Sequence, residues 1–327
     1  MSRNILITGA SSGIGFEATL DLLRKGHNVM APCRNEYRSK ETLLKINNRK
    51  FESEDIQKQL NLPILDLSNL KDIKIFIDKL LKDSDPIDTL ILNAGLQYTG
   101  SIKPLWSSDG FELTFAVNHL SNQCLADGLI ELLDKSKSPR IIITSSEVHN
   151  PEAPGGKIGK PASLGDLKGL KSGKGFKMID GDKIFNADKA YKDSKLCNIL
   201  FARELHKRLL DRGKRISVIS WAPGLVIPKN NDGFFRYSRK NNELGQRIFA
   251  FLARDIFRIT ESPDKAGRIL SDLVDDPNLN NSEFIYMSNK IVGPGKKIFI
   301  KTEISREASD DSLAKDLWYI TNELINN

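Results

Sequence analysis

A tyrosine and a lysine that stand four residues apart are the side chains of this sequence best suited to moving a proton. Tyr191 and Lys195 begin and end the segment Tyr-Lys-Asp-Ser-Lys. In a helix this spacing places both side chains on one face. A lysine ammonium beside a phenol stabilises the phenolate, which lowers the pKa of the phenol toward the range needed for proton exchange at neutral pH. We therefore predict that Tyr191 and Lys195 are catalytic.

Two further polar residues could complete such a site. Ser146 follows the apolar run 140–144 and could bind a substrate oxygen, and Asn118 could order a chain of water molecules leading to Lys195. A Tyr-x-x-x-Lys pair taken alone is equally compatible with a solvated helix surface. The catalytic interpretation therefore depends on whether the rest of the chain supplies a cofactor site.

A glycine-rich turn supplies a candidate for that site. Residues 8–15, Thr-Gly-Ala-Ser-Ser-Gly-Ile-Gly, directly follow the apolar run 5–7 and precede a segment of helical periodicity. Side chains at the glycines would obstruct a pyrophosphate and hold the helix away from the strand, while N–H groups at the helix start bind anionic oxygen. A tight turn without a ligand is the alternative, but placement between strand and helix favours a dinucleotide. The expected contacts are Gly9, Ser11, Ser12, Gly13, Ile14 and Gly15.

The residues after the second predicted strand indicate which dinucleotide would bind. An NAD site usually has an acidic residue there for the ribose 2′-hydroxyl, whereas this chain has Cys33-Arg34-Asn35, followed by Arg38 and Lys40. Positive charge at this position suits a 2′-phosphate, so we predict NADPH as the cofactor, bound in part by Arg34 and Arg38. A solvated arginine at the end of a strand is the alternative interpretation.

Two other strand ends extend the predicted cofactor site. Asp66 and Leu67 end the third predicted strand, and Asn93-Ala94-Gly95 follows the fourth, where adenine and ribose contacts fall in a dinucleotide-binding sheet. Either group alone would be only the end of a strand. Together with the glycine-rich turn, they predict a continuous cofactor site along one edge of a sheet.

Short apolar runs alternate with segments of helical periodicity along the chain. Strands are predicted at 5–8, 29–33, 63–67, 89–92, 140–144 and 216–220, and helices at 16–25, 36–49 and 70–81. The alternation predicts an α/β fold: a single Rossmann-type doubly wound parallel sheet with a ligand at the carboxyl ends of its strands. Such a sheet can use all 327 residues, and we predict one domain over 1–327.

Two long segments interrupt the alternation and are predicted to be insertions. The first, roughly 149–188, is rich in Gly, Pro and Lys and is interpreted as a surface excursion over the site. The second, roughly 226–262, is the most aromatic part of the chain and fits either a cover over an apolar substrate or a peripheral contact with a membrane. Its apolar side chains are Phe234, Phe235, Tyr237, Ile248, Phe249, Phe251, Leu252, Ile256 and Phe257.

Composition and charge argue against several other classes of protein. The 49 Lys and Arg residues exceed the 42 Asp and Glu residues, but they are scattered, so nucleic-acid binding is not expected. Cys33, Cys124 and Cys197 are widely spaced, and His119 and His149 have no ligand partners at suitable spacing, so neither a disulfide framework nor a metal site is predicted. The chain leads straight into its first strand and has no apolar run of about 20 residues, which favours a cytoplasmic protein, at most peripheral to a membrane.

The motifs occur in the order typical of the short-chain dehydrogenase/reductase superfamily, which the chain resembles over about two thirds of its length. Within the superfamily it is most similar to the light-dependent protochlorophyllide oxidoreductases, in the stretches 155–158, 164–169 and 189–198 and in the tail 307–310. That resemblance implies NADPH, a chlorophyll-precursor pigment and light-triggered reduction of a ring double bond. The hydride would come from the nicotinamide and the proton from the enzyme.

The resemblance also implies a cellular context and further contacts. It adds Tyr191, Lys195 and Pro223 to the residues expected to contact the cofactor, and it makes the insertion 226–262 a cover over the pigment. It implies a role in chlorophyll biosynthesis and photosynthesis, with a location peripheral to a photosynthetic membrane. An oligomer is compatible with the sequence, which leaves the oligomeric state open.

Two departures from that family leave three functions open. The loop after the sixth strand reads Tyr-Pro-Gly-Cys in those oxidoreductases but Ala-Pro-Gly-Leu at 222–225 here, and neither alanine nor leucine can donate a proton. Gln97-Tyr98 also differs. The functions are a protochlorophyllide reductase-like enzyme, a light-independent retinol-dehydrogenase-like carbonyl reductase acting on an apolar aldehyde or ketone, and a non-catalytic binder of pigment and nucleotide.

Overall fold

An eight-stranded sheet forms the centre of the computed structural model, which describes residues 2–49, 56–83, 85–227, 234, 236–241, 243–280, 283–293 and 295–327. The described strands are β1 Asn4–Ile7, β2 Asn28–Met30, β3 Leu60–Asn61, β4 Thr89–Leu92, β5 Arg140–Thr144, β6 Ser217–Ala222, β7 Leu225–Val226, β8 Thr260–Glu261, β9 Ile285–Gly293 and β10 Lys296–Lys301. Strands β7 and β8 form a separate parallel pair.

The order of strands in the main sheet is β10-β9-β6-β5-β4-β1-β2-β3. Neighbouring strands are parallel except β9 and β10, which pair antiparallel at one edge. The strand order reverses between β1 and β4, and a doubly wound sheet binds its ligand in the crevice at such a point. The predicted Rossmann-type α/β fold is confirmed.

Two parts of the strand prediction need correction. In the predicted strand at 63–67, Ile64 forms only an isolated bridge with Cys33. The strand that pairs with β2 is β3, at Leu60–Asn61. Pro63 has no N–H group and interrupts the ladder. Strands β9 and β10 were not predicted, because β9 mixes apolar with polar residues and β10 is exposed and rich in lysine at the edge of the sheet, so neither has the continuous apolar run of the buried parallel strands.

Helices cover both faces of the sheet. The described helices are α1 Gly13–Arg24, α2 Glu36–Asn47, α3 Ile56–Gln59, α4 Leu70–Asp83, α5 Leu113–Phe115, α6 Ser121–Gly128, α7 Ile130–Asp134, α8 Lys168–Lys171, α9 Ala187–Asp211, α10 Arg236–Asn241, α11 Glu243–Phe251, α12 Pro263–Asp275 and α13 Asp311–Asn326. One apolar core joins the sheet to α4, α6, α9 and α13, and a second joins the opposite face to α1 and α12. A π-helical turn, Ala116–Leu120, connects α5 to α6.

Helix α9 brings the predicted catalytic pair to the sheet. It spans 25 residues and contains both Tyr191 and Lys195 near its N-terminus. The Asn186 side chain accepts the Lys189 N–H and so caps the helix. Most of α9 is buried, and it packs against β5 and β6. The tertiary contacts of this helix therefore fix where the pair lies.

The segment 149–188 runs mostly along the surface, but part of it also enters the core. Several of its apolar side chains are buried in the main core, namely Leu164, Leu167, Leu170, Phe176 and Ile179. The ammonium of Lys192 on α9 donates hydrogen bonds to the carbonyl oxygens of Gly156, Ile158 and Lys160. These core contacts were not predicted, because spaced apolar residues inside a Gly- and Lys-rich segment show no regular period.

The second insertion exposes apolar side chains on its outer side. The large apolar residues that are at least two fifths exposed in α11 and the π-helical turn after it are Leu244, Ile248, Phe249, Phe251 and Ile256. Phe235 lies outside the described residues. Among the described helices, none combines the length and the apolar character needed to cross a membrane.

Candidate active site

A cleft of about 1560 Å³ opens at the carboxyl ends of the parallel strands. Pockets for one small ligand usually measure about 300–1,000 Å³, so this cleft can take a dinucleotide and a second molecule. The predicted site residues that line it are Gly9, Ser11, Ser12, Gly13, Ile14, Gly15, Arg34, Arg38, Asp66, Leu67, Asn93, Ala94, Gly95, Ser146, Tyr191, Lys195 and Pro223. Of the predicted set, Asn118 lies behind the wall rather than in it.

The glycine-rich turn keeps side chains out of one end of the cleft. Gly9 has a φ of 76° and Gly13 a φ of 58°, which residues with side chains rarely adopt. A Cβ atom on Gly15 would lie 2.4 Å from the Gly9 carbonyl oxygen and 2.5 Å from Asn93 Nδ2. Helix α1 begins at Gly13, so its unpaired N–H groups border the cleft and can bind an anion.

Hydrogen bonds between strand ends hold this turn in place. The Thr8 hydroxyl accepts the N–H groups of Asn93 and Ala94, each at 3.0 Å, and Asn93 Nδ2 donates to the Thr8 carbonyl at 3.1 Å. The Thr144 hydroxyl donates to Asn93 Oδ1 at 3.4 Å and accepts from Trp221 Nε1 at 2.9 Å. These bonds, which we call the strand-end network, join the ends of β1, β4, β5 and β6.

Two arginines border the cleft beyond the end of β2. Arg34 Nε donates to Asp66 Oδ2 at 3.0 Å, and its guanidinium also contacts the hydroxyl of Tyr237 on α10. Its side chain is 52% exposed, so part of the guanidinium is free to meet a ligand. Arg38 forms an ion pair with Glu41 at 2.6 Å. Of the two, Arg34 is better placed to bind an anion.

The three predicted catalytic side chains meet where α9 crosses the end of β5. The Ser146 hydroxyl lies near the Tyr191 phenol and interacts with it electrostatically. Lys195 Nζ lies 5.8 Å from the centroid of the Tyr191 ring and donates to the Thr144 carbonyl at 3.0 Å. The Phe234 ring packs against Tyr191 at a centroid distance of 5.2 Å. One phenol therefore lies within reach of a hydroxyl and an ammonium.

Burial controls the protonation of this group. It raises the pKa of Tyr191 above its ordinary value, and the nearby Ser146 hydroxyl only partly opposes that. The expectation of an acidified phenol is therefore not met, because Lys195 is hydrogen-bonded to a carbonyl rather than to the phenol oxygen. Burial also lowers the pKa of Lys195 to about 8. At pH 7 Tyr191 keeps its proton and Lys195 is mostly charged, which suits a proton donor beside a cation.

Asn118 fixes the loop behind this group. Its Oδ1 accepts the Leu96 N–H at 2.8 Å, and its Nδ2 donates to the Leu96 carbonyl and to Ser194 Oγ, each at 3.0 Å. A Cβ atom on Gly95 would lie 3.5 Å from both Asn118 Oδ1 and Lys195 Nζ, so these two polar atoms flank the same glycine. The π-helical turn that carries Asn118 is a feature often found at functional sites. The water chain remains a prediction.

Sequence reasoning missed a polar part of the cleft wall. Glu147, Tyr286, Ser288 and Thr302 line it beside β9. A signal was present in the sequence, because Ile-Tyr-Met-Ser at 285–288 combines β-forming residues bounded by a polar segment. Without the edge strand in the predicted sheet, these residues had no reason to be placed near Ser146.

The buried histidines and cysteines have structural contacts. His149 Nδ1 lies 2.7 Å from the Ser146 carbonyl oxygen, and its Nε2 accepts the Ser305 N–H, while burial lowers its pKa to about 4. Cys197 is buried in the main core, as predicted. Within the described residues, no three His, Cys, Asp or Glu side chains are grouped as metal ligands would be.

Comparison with known proteins identifies the family. The family model for short chain dehydrogenases matches residues 3–157. Protochlorophyllide reductase from Cucumis sativus is 33% identical over 329 residues, covering 98% of this chain and 77% of that protein. The protein of the same name from Avena sativa is 32% identical over 330 residues, covering 98% of this chain and 99% of its own length.

Solved structures share the fold at lower identity. An uncharacterised protein from Mycobacterium paratuberculosis has a TM-score of 0.67 and 22% identity, covering 99% of this chain and 94% of its own. L-Sorbose reductase from Gluconobacter frateurii, complexed with NADPH and L-sorbose, has a TM-score of 0.60 and 14% identity, covering 91% and 98%. At such identities these structures support the fold alone. The family model and the relatives that match over nearly the whole chain show that the protein belongs to the short-chain dehydrogenase family and resembles protochlorophyllide reductases.

Proposed function

We propose that this chain is an NADPH-dependent reductase whose substrate is protochlorophyllide or a closely similar pigment. The observation that carries the proposal is that the glycine-rich turn and the Ser146, Tyr191 and Lys195 side chains line one cleft. Doubly wound sheets bind their ligands at this edge. The names of the relatives support both the reductase class and the pigment.

The residues of the cleft fit NADPH. The absence of side chains at Gly9 and Gly15 lets the turn pack closely against Asn93 and Ala94, and the start of α1 suits a pyrophosphate. The exposed part of the Arg34 guanidinium suits a 2′-phosphate. Asp66, Leu67, Asn93, Ala94, Gly95 and Pro223 line the same cleft and complete the proposed contact set. When bound, NADPH supplies a hydride.

The side chains of the chain itself handle the proton. Tyr191, which keeps its proton at neutral pH, donates it from the phenol to the substrate. The Lys195 ammonium stabilises the phenolate that remains, since opposite charges attract strongly in a buried site. Ser146, whose hydroxyl lies near the phenol, orients the substrate atom that receives the proton. Asn118 hydrogen-bonds the backbone of Leu96 and so holds the loop that follows β4 in place near Lys195. It is therefore a positioning residue.

The loop after β6 favours a second candidate reaction. Residues 222–225 are Ala-Pro-Gly-Leu, and this loop lines the cleft without a thiol or a phenol. The second proton donor that light-driven reduction of a ring double bond could use is therefore missing at this position. Reduction of an apolar aldehyde or ketone in the dark needs only one donor, which Tyr191 supplies. This carbonyl reductase is the alternative to the pigment reductase.

The location proposed for the protein is the surface of a photosynthetic membrane. Apolar side chains of the second insertion, including Ile248, Phe251 and Ile256, are more than half exposed. Exposed apolar patches of this kind often mark interaction surfaces. Flotation with vesicles of photosynthetic lipids tests the proposal, which fails if the protein stays in the soluble fraction.

A light pulse separates the two reactions. We expect the protein with NADPH and protochlorophyllide to bind the pigment in the dark and to form a red-shifted product only after illumination, recorded by absorption spectroscopy. Reduction of an apolar aldehyde in the dark, lost in the Tyr191→Phe variant, would instead support the carbonyl reductase. Binding of the pigment without turnover in either condition would identify a non-catalytic binder.

Replacing Arg34 tests the choice of NADPH. Arg34→Ala should raise the dissociation constant of NADPH by about tenfold or more, because a hydrogen bond to a charged group contributes roughly 1.5–3 kcal/mol. The dissociation constant of NADH should change by less than about threefold, since it has no 2′-phosphate. Arg268→Ala is a matched control, because Arg268 also forms an ion pair but lies on the exposed face of α12. Equal losses of affinity for NADPH and NADH would rule out contact between Arg34 and the 2′-phosphate.

The pKa of Lys195 predicts that the rate of reduction falls at alkaline pH. The ammonium is charged below about pH 8 and neutral above it, so the rate of reduction should fall as the pH rises through that value. A pH profile of kcat/KM from 6 to 10 measures this, with Lys195→Met compared with Lys71→Met, an exposed lysine on α4. The break near pH 8 should vanish only in Lys195→Met. Its persistence in that variant would assign it to another group.

A further inference from the structure

The polar wall beside β9 has hydrogen-bonding groups that the described chain leaves unused. We call Glu147, Tyr286, Ser288 and Thr302 the β9 wall. Tyr286 and Ser288 are two residues apart on β9, so their side chains point to the same face of the sheet. Glu147 directly follows Ser146, so the wall adjoins the proposed catalytic group. A ligand that reaches Ser146 therefore passes this wall.

The Tyr286 phenol is buried and unpaired. The residue is 3% exposed, and its hydroxyl has no hydrogen-bond partner of acceptable geometry among the described residues. Burial and, to a smaller extent, the nearby Glu147 carboxylate raise its pKa above the ordinary value, and the neighbouring Ser288 hydroxyl, which makes no hydrogen bond of ordinary geometry with it, opposes this only in part, so the phenol keeps its proton. The His149 ring packs edge-on against it at a centroid distance of 5.4 Å, which holds the ring in place. A buried hydroxyl without a partner destabilises the protein, and a ligand oxygen that accepts its hydrogen bond would remove this penalty.

The neighbouring side chains define what the wall can bind. The Thr302 N–H donates to the Tyr286 carbonyl at 3.0 Å, and the Thr302 hydroxyl is likewise buried without a partner in the described structure. The Ser288 hydroxyl donates to Glu147 Oε1 at 2.5 Å, which holds the carboxylate against β9. Two hydroxyls that can donate therefore stand beside one carboxylate that can accept.

Charge excludes ionic groups from the wall. An anionic substituent would be repelled by the Glu147 carboxylate, and a cationic one has no lone pair to accept a hydrogen bond from the Tyr286 and Thr302 hydroxyls. Like charges at close range repel, and an ion that loses its water needs a partner. The wall therefore suits an uncharged group.

We propose that the β9 wall binds an uncharged oxygen substituent, a hydroxyl or a carbonyl, on an otherwise apolar substrate. The hydroxyls of Tyr286 and Thr302 donate hydrogen bonds to its oxygen, and Glu147 accepts a hydrogen bond when the substituent is a hydroxyl. This inference rests on the proposed function, because it concerns the substrate of the same cleft. Tyr286 is thereby a residue that determines specificity rather than one that moves a proton.

Binding measurements in the dark test the wall without turnover. The protein is saturated with NADP⁺, which cannot deliver a hydride, and titrated with 2-naphthaldehyde, its 6-hydroxy and 6-carboxy derivatives, and protochlorophyllide. Tyr286→Phe should weaken binding of the hydroxy compound about tenfold and leave the unsubstituted aldehyde within about twofold. The carboxy compound should bind most weakly to the wild type, because Glu147 repels it, and Glu147→Gln should raise its affinity. Tyr319→Phe, a half-exposed tyrosine on α13, is the matched control.

The outcomes separate this inference from the proposed function. If Tyr286→Phe and Glu147→Gln change the binding of the naphthaldehydes as expected while protochlorophyllide does not bind, the proposed role of the β9 wall is supported and the proposal of a pigment substrate fails. If the pigment binds and is reduced, yet Tyr286→Phe changes neither its affinity nor the preference for the hydroxy compound, the proposed role of the β9 wall is rejected and the proposal of a pigment substrate is supported. Absence of any dependence on Tyr286 or Glu147 overturns the inference, whichever reaction the protein catalyses. An unchanged dissociation constant for NADPH confirms that each variant is folded.

Discussion

The site depends on hydrogen bonds that tie together the carboxyl ends of four parallel strands. Thr144 is the central residue of this strand-end network. Its hydroxyl joins Asn93 to Trp221, and its carbonyl accepts the Lys195 ammonium. Asn93 in turn occupies the space beside Gly15 that a side chain would need. The glycine-rich turn and the buried lysine are thus held in one frame, and buried polar networks with satisfied partners are rigid.

The two sides of the cleft differ in how their polar groups are satisfied. On the cofactor side, the hydroxyl of Thr8 and the amide of Asn93 already have partners within the protein, so the shape of that side exists before a ligand arrives. On the substrate side, the hydroxyls of Tyr286 and Thr302 have none in the described structure. The fold therefore fixes the shape of the proposed cofactor side, while on the proposed substrate side these hydroxyls are left for a ligand.

Local sequence patterns were enough to predict the parts of the site that lie within one strand, turn or helix. The glycine-rich turn needed only glycine spacing after a strand, and the Tyr191–Lys195 pair needed only helical periodicity. Parts that depend on contacts between distant segments could not be predicted in this way. The contact between Arg34 and Tyr237 and the position of Tyr286 beside Ser146 arise from tertiary packing.

The prediction that Tyr191 has a lowered pKa failed for a similar reason. Helical spacing brought the ammonium of Lys195 to the correct face but could not show that the Thr144 carbonyl would bind it. Nor could it show how deeply the phenol would be buried, which decides the direction of the pKa shift. Spacing predicts which side chains meet, whereas burial and competing partners decide their charge.

Removing the Thr144 hydroxyl is the most direct test of this dependence. Thr144→Val keeps the side-chain volume and the carbonyl that binds Lys195 but deletes the hydroxyl that joins Asn93 to Trp221. Thr89→Val is the matched control, because Thr89 is equally buried on β4 and its hydroxyl has no partner among the described residues. We expect Thr144→Val to weaken NADPH binding about tenfold in a calorimetric titration, since a buried donor loses its acceptor, while Thr89→Val does not. Equal NADPH affinities for the two variants would show that the strand-end network does not organise the cofactor site.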